Sequence, residues 1–186
     1  MGPNAVAIWR QRLNALSTIA TRATGWRTAA TERRLHRRAA SYWHSLRDGA
    51  DVPLLKDFDL NFSEEFASRG FLLHIDGDRP VLSHIGEILM DEAGLASPLI
   101  ALVDVPAKSL LGQFGRRYAQ ALIERNPVTT EYVFDTDAGY RISCRSVLLP
   151  FRGSGDMIDY VYGVVSWKSE KIATSENAAL AFSVGE

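Results

Sequence analysis

The residues best suited to chemistry in this chain of 186 residues are one cysteine and two histidines, all in segments rich in β-forming residues. Cys144 lies in "RISCRSV", while His74 and His84 lie in "FLLHID" and "RPVLSHI". A thiol beside an imidazole is the arrangement of a cysteine nucleophile and its general base. The two histidines with Asp76 or Asp78 would instead supply ligands of the kind that bind zinc.

The pattern around these residues favours structural roles. Alternation along its strand places Cys144 on one face with Ile142 and Leu148, where a free cysteine usually behaves as a small buried hydrophobe. Two histidines alone do not complete a zinc site. The sequence also has no P-loop, dinucleotide-binding glycine pattern or zinc-protease helix. We therefore predict no catalytic residue, no metal site and no enzymatic activity.

The segments that would position these residues read as five strands with helices between the second and the third. The strands are "FLLHID", "RPVLSHI", "TTEYVFDT", "YRISCRSVLLP" and "MIDYVYGVVSW", and the helical stretches are "GEILMDEAG" and "AKSLLGQFGRRYAQALIERN". Turn sequences rich in Asp and Gly stand where hairpins must reverse. This order predicts an α+β fold with a five-stranded antiparallel sheet and helices over one face. Six residues are predicted to meet between helix and sheet, and they either line a cleft or fill it: Leu110, Phe114, Tyr118, Tyr132, Cys144 and Trp167.

A further helix is predicted over "TERRLHRRAASYWHSLRDG", ending at Asp48 and Gly49. Its apolar residues recur at helical spacing: Leu35, Ala39, Tyr42 or Trp43, and Leu46. Burying large apolar side chains contributes about 1.5–3 kcal/mol each. That outweighs the roughly 1 kcal/mol that each basic residue contributes at an anionic membrane surface. We expect this stripe to pack against the protein itself or against a second copy in a homodimer.

The charge distribution leaves a second interpretation open. Residues 1–50 carry nine arginines against two acidic residues, a net charge of +7, and the remainder carries −8. Such asymmetry indicates either an arm that binds nucleic acid or an anionic surface, or pairing between the two parts of the protein. Arginine without lysine suits bidentate pairing with carboxylates, so nucleic acid is the less favoured partner.

The cellular setting is indicated by two absences in the sequence. A single cysteine forms no internal disulfide, and no apolar signal-peptide core is present. No apolar run approaches the roughly 20 residues that cross a bilayer. The sequence predicts a cytoplasmic protein without a membrane span.

Residues 40–168 resemble the PAS-type domains of alphaproteobacteria sometimes called the PAS_5 family. The resemblance is carried by "YWHSLRDGADVPLLKDFDL", "LLHIDG", "DTDAGYRISCRSVLLPF" and "RGSGDMIDYVYGVVSW". It implies a stand-alone sensory and signal-transduction module that acts through protein–protein interaction. The domains expected are an N-terminal helical extension at 1–50, a PAS-like domain at 51–168 and a tail at 169–186.

The cofactors of other PAS domains are not predicted here. Those that bind haem commonly use a histidine on the long helix beside the cleft, and residues 106–125 contain none. Those that form a flavin adduct resemble one another in an Asn-Cys-Arg-Phe motif, whereas Cys144 stands in a strand. The sequence leaves open whether an unidentified small ligand binds in the cleft.

Overall fold

The computed structural model describes residues 29–136 and 139–172, with side chains from residue 34 onward. Residues 1–28 of the predicted N-terminal helical extension and most of the predicted tail lie outside these residues. Within them the helices and strands are, in chain order, α1 (Ala29–Ser45), α2 (Glu64–Arg69), β1 (Gly70–His74), β2 (Val81–Ile85), α3 (Glu87–Ala93), β3 (Ile100–Ala101), α4 (Leu110–Gly115), α5 (Tyr118–Glu124), β4 (Val128–Asp135), β5 (Tyr140–Arg152) and β6 (Ile158–Lys171). Short 3₁₀ helices lie at Leu55–Asp57 and Leu102–Asp104.

The strands form one antiparallel sheet in the order β3-β2-β1-β6-β5-β4, so the α+β fold is confirmed. The sheet has six strands where the sequence predicted five. The additional strand is β3, which pairs Ile100 with Leu82 and Ala101 with Val81. Two residues are too short to show a strand period, so this strand leaves no pattern in the sequence.

Helices cover both faces of the sheet, so the prediction of helices over one face is wrong. In β5 the consecutive residues Val147, Leu148 and Leu149 are all fully buried. Successive side chains of a strand point to opposite faces of the sheet, so a strand whose consecutive residues are all buried needs apolar cover on both faces. Helices α3, α4 and α5 supply it on the face of Leu148, and helices α1 and α2 supply it on the face of Val147 and Leu149.

The helical region between β2 and β4 is shorter and more broken than the sequence predicts. The stretch predicted as one helix is split into α4 and α5, with the turn at Arg116 and Arg117. The Arg117 amide donates to the carbonyl oxygen of Phe114, three positions earlier. This is the spacing of a 3₁₀ turn, which is tighter than a turn of α-helix. An added Cβ at Gly115 would meet the end of the Leu102 side chain at 2.7 Å. The low helix propensity of glycine favours a break at this position.

Helix α1 belongs to the core of the second face. Leu35, Ala39 and Trp43 are at most 4% exposed and pack with Leu149 and Tyr162 of the sheet. The predicted stop after the helix is confirmed, since Asp48 and Gly49 both have positive φ angles, of 43° and 80°. Strand β6 continues to Lys171, so the predicted tail begins later than residue 169. In the part of the chain that the structure describes, no helix has the length and apolar character needed to cross a membrane.

Candidate functional site

The six residues predicted to meet between helix and sheet lie in one apolar core. Leu110, Phe114 and Cys144 are buried, and Tyr118, Tyr132 and Trp167 are partly buried and pack against them. Strand register brings three of the six into a row, because Cys144 stands opposite both Tyr132 and Trp167. The three buried members lie inside the core, and the three partly buried aromatic side chains form its rim.

The Cys144 thiol is held as a protonated thiol. It donates to the Tyr132 carbonyl oxygen at 3.4 Å. Burial, together with the negative charge of Glu92, raises its pKa to about 12. Nucleophilic cysteines act as thiolates, which form when surrounding groups lower the pKa. The surroundings of Cys144 raise its pKa instead, so they disfavour the thiolate.

Glu92 on α3 is a functional candidate that the sequence analysis passed over. Both of its carboxylate oxygens accept from the amide of Leu110, at 3.0 and 3.2 Å, which ties α3 to the first turn of α4. Burial raises the pKa of Glu92 to about 7, although the Leu110 amide favours the ionised form. Both protonation states of Glu92 are therefore populated near neutral pH.

Arg117 completes a polar cluster, defined here as Glu92, Cys144 and Arg117. Its guanidinium lies 4.5 Å from the centroid of the Tyr132 ring, a cation–π contact. Its positive charge lowers the pKa of Cys144, against the larger effects of burial and Glu92. The structure thus places Arg117 beside the aromatic rim of the core.

One signal in the sequence could have identified Glu92. Its helix buries Leu89 and Ala93. Glu92 follows Leu89 by three positions and precedes Ala93, so helical spacing directs it toward the same buried side. A carboxylate at an apolar position of a short amphipathic helix indicates a buried titratable group.

The two histidines do not form a metal site with their neighbours. Register sets His84 opposite Leu72 and His74 opposite Val81. His74 stacks on Tyr160 at 4.6 Å between ring centroids, while burial lowers the pKa of His84. Across residues 29–136 and 139–172, no three His, Cys, Asp or Glu side chains are grouped as metal ligands would be.

On the opposite face, the stripe predicted for packing or dimerisation contacts the sheet of its own chain. Trp43 is fully buried, and its indole Nε1–H donates to the Pro150 carbonyl oxygen at 2.6 Å. Tyr42 and Leu46 are partly buried at the edge of the same core. The apolar side of α1 is thus already covered within one copy of the chain.

A buried histidine lies between α1 and the sheet. His36 is 4% exposed, and its Nε2 lies 3.5 Å from the Ser166 hydroxyl. Among the residues that the structure describes, its Nδ1 has no hydrogen-bond partner, and neither has Nε of the neighbouring Arg145. Burial and the positive charge of Arg145 lower the pKa of His36 to about 4. His36 is therefore neutral at physiological pH.

The outward side of α1 bears an open groove of about 740 Å³. We call it the arginine–aromatic groove, and its lining residues are Arg34, Arg37, Arg38, Ser41, Tyr42, Ser45 and Phe62. Arg38 forms an ion pair with Glu65 at 3.4 Å. Phe62 is 45% exposed and stacks on Tyr42, with 4.1 Å between ring centroids. The N-terminal arginines that the structure describes thus pair only partly with acidic residues of the same chain.

Comparison with known proteins assigns no family to this chain. No family model matches the sequence, and no curated protein is significantly similar to it.

Proposed function

We propose that this chain is a PAS-type sensory and signal-transduction module that acts through protein–protein interaction. The chain order of two strands, a helical crossing and three longer antiparallel strands agrees with that family, as does the set of helices over the first core. The single cysteine is a buried thiol, which suits the reducing cytoplasm that we propose as its location.

The sensing side in this proposal is the interior between α3, α4, α5 and the sheet. It contains the polar cluster among residues that are otherwise apolar. A change in the charge of Glu92, or a small molecule that displaces Tyr118, Tyr132 or Trp167, would alter the contact between α3 and α4. We propose that this change is the signal received.

The output side is α1 on the opposite face. One observation carries the proposal: β5 and β6 alternate their side chains between the two cores. Leu148 and Val165 pack on the sensing side, while Val147 and Val164 pack on the side of α1. Because packed interiors transmit displacement rather than absorb it, a shift of these strands reaches α1.

A homodimer remains part of the proposal, but the buried stripe of α1 is not its interface. Leu35, Ala39 and Trp43 contact the sheet of their own chain. Partners therefore meet α1 on its exposed side, or meet another part of the surface.

Native mass spectrometry of the protein purified from its own cells tests the oligomeric and ligand parts of the proposal. We expect the mass of two copies, and any retained molecule should be lost in Trp167→Ala, which opens the rim. Ile123→Ala is the matched control, because Ile123 is 82% exposed on α5. A single-copy mass without adduct at every concentration would contradict both parts.

A second candidate function is the binding of nucleic acid or an anionic surface. The exposed arginines of the arginine–aromatic groove favour it. Such binding weakens steeply with salt, in proportion to the number of phosphates contacted. An electrophoretic mobility assay at low salt tests this candidate, and the absence of a shifted band would dismiss it.

A further inference from the structure

The arginine–aromatic groove has the form of a continuous recognition surface along α1. Six of its residues recur at intervals of three, four, seven, eight and eleven positions from the first: Arg34, Arg37, Arg38, Ser41, Tyr42 and Ser45. Eleven residues of helix span roughly 16 Å. This stripe borders the buried one, so packing of α1 on the sheet presents it to solvent in a fixed orientation.

Two guanidinium groups in the groove are available to a partner. Arg34 and Arg37 are exposed, and among the described residues neither forms an ion pair. Arg38 is held by Glu65 and lies 5.9 Å from the centroid of the Phe66 ring. Guanidinium groups bind carboxylates in a bidentate manner, with stronger hydrogen bonds than neutral donors form.

The other end of the groove is apolar and held in place. Phe62 stacks on Tyr42, and the Tyr42 hydroxyl accepts from the Asp59 amide at 3.2 Å. A phenylalanine that is 45% exposed on a fixed surface offers an apolar side chain a contact that excludes water.

The surroundings of the groove favour a peptide over a polyphosphate chain. The segment that carries Phe62 also carries two carboxylates: Glu65 pairs with Arg38, and Asp59 donates its backbone amide to the Tyr42 hydroxyl. These carboxylates would repel the successive charges of a phosphate chain, whereas a peptide can carry a carboxylate only where it meets Arg34 and Arg37. Because Tyr42 and Phe62 stack on each other, each covers one face of its neighbour, which leaves little ring surface for nucleic-acid bases.

We propose that the arginine–aromatic groove binds an acidic peptide segment of a partner protein. A carboxylate of that segment pairs with Arg34 or Arg37, and an apolar side chain packs on Phe62. This inference rests on the proposed function, because it names the surface through which the signal leaves the module.

Peptide display on the immobilised full chain tests this proposal. A library of random peptides of about 12 residues, enough to follow the length of the groove, is selected on the wild-type protein. We expect enrichment of Asp or Glu together with a large apolar residue. The selected peptide should lose about tenfold or more in affinity, measured by fluorescence anisotropy, on the Arg34→Gln/Arg37→Gln protein. Arg79→Gln/Lys168→Gln, which removes the same charge from exposed sites elsewhere, should bind it normally.

A second measurement does not depend on the folding of a variant. On the wild-type protein, a peptide with its carboxylates replaced by amides should bind about tenfold more weakly. The proposal is overturned if selection yields no acidic consensus, or if binding is the same on both double variants. It is also overturned if single-stranded DNA of about 20 nucleotides binds more tightly than the peptide and depends on Arg34 and Arg37. If the groove binds no acidic peptide, the proposed coupling of the polar cluster to α1 can still hold, because that coupling is measured on the protein alone, without a partner.

Discussion

The indole of Trp43 donates to the carbonyl oxygen of Pro150 at 2.6 Å, across 107 positions of the chain. Both groups are buried. The hydrogen bond joins the last turn of α1 to β5, the strand that also carries Cys144. It connects α1, which we propose as the output helix, directly to the sheet.

Loss of this hydrogen bond should destabilise the protein. Trp43→Phe keeps an aromatic ring but leaves the buried Pro150 carbonyl without its donor, which costs about 1–3 kcal/mol. Urea denaturation followed by circular dichroism measures the free energy of unfolding. Trp167→Phe is the control, since Trp167 is only partly buried, and its effect should be clearly smaller. Equal losses in the two variants would show that the Trp43 bond contributes nothing particular.

Gly163 on β6 is required by the ring that stands opposite it. Phe71 of β1 pairs with Gly163, and an added Cβ would overlap the Phe71 ring. Gly163→Ala should therefore lower the free energy of unfolding by about 1–3 kcal/mol, as overpacking does. Gly155→Ala is the matched control, because no atom lies within 4 Å of a Cβ placed there. Thermal denaturation compares the two, and a Gly163→Ala protein as stable as Gly155→Ala would contradict the packing described.

Ionisation of Glu92 should make stability depend on pH. Its pKa is about 7 in the folded protein against an ordinary value of 4.5. Between these values the folded state holds the proton that the unfolded state releases, so the free energy of unfolding falls as pH rises, and the loss is complete above pH 7. Glu92→Gln should remove this loss, and at pH 8 it should exceed the wild type in stability by an amount on the order of 2 kcal/mol.

Melting temperatures from pH 5 to pH 8 test that prediction. Glu87→Gln on the same helix is the control, because Glu87 is exposed and has no part in the contact between Glu92 and the Leu110 amide. If Glu92→Gln and the wild type lose stability in parallel as pH rises, Glu92 is not the buried acid described.

His36 should produce a pH dependence of the opposite sign. Its pKa is about 4 when folded against an ordinary value of 6.5. Between these values the unfolded state binds the proton that the folded state refuses, so stability falls as pH falls from 6.5 toward 4. Arg145 and Glu131 are the charged groups that act on it, and Arg145 has the larger effect.

His36→Leu should flatten that part of the stability profile. The measurement is best made in a Glu92→Gln background, because Glu92 contributes the opposite slope over the same range. His44→Gln on the exposed side of α1 is the control and should keep the acid-induced loss. If the stability of His36→Leu still falls as pH falls, other titratable groups cause the loss.

Patterns confined to one element were readable from the sequence. The spacing of Leu35, Ala39 and Trp43 marks the side of α1 that the structure buries. Alternation along β5 places Cys144 inward, which the structure also shows. In both cases one side of a regular element is apolar, and its period alone identifies that side.

Features made by contacts between distant segments were not readable. Glu92 is a partly buried acid whose carboxylate meets the start of α4, 18 positions later in the chain. The arginine–aromatic groove needs Phe62 from another segment to stack on Tyr42. That α1 covers the sheet of its own chain is seen only in long-range contacts such as the bond between Trp43 and Pro150. The periodicity of a single helix or strand carries no information about such contacts between distant segments.

The central claim, that the polar cluster is coupled to α1 through the sheet, is tested most directly by the indole N–H signal of Trp43. A ¹H–¹⁵N correlation spectrum is recorded from about pH 5.5 to 8, a range that spans the Glu92 pKa. The protein carries His44→Gln, because the centroid of the His44 ring lies 5.0 Å from that of Trp43 and the His44 ring would contribute to the Trp43 signal directly. Loss of the signal in Trp43→Phe assigns it.

We predict that the Trp43 signal shifts with a midpoint near pH 7, together with the Leu110 amide that Glu92 accepts from, and that both become constant in Glu92→Gln. If the Leu110 amide signal shifts with pH while the Trp43 indole signal stays constant, the change at Glu92 does not reach α1. That result would contradict the proposed coupling through the sheet.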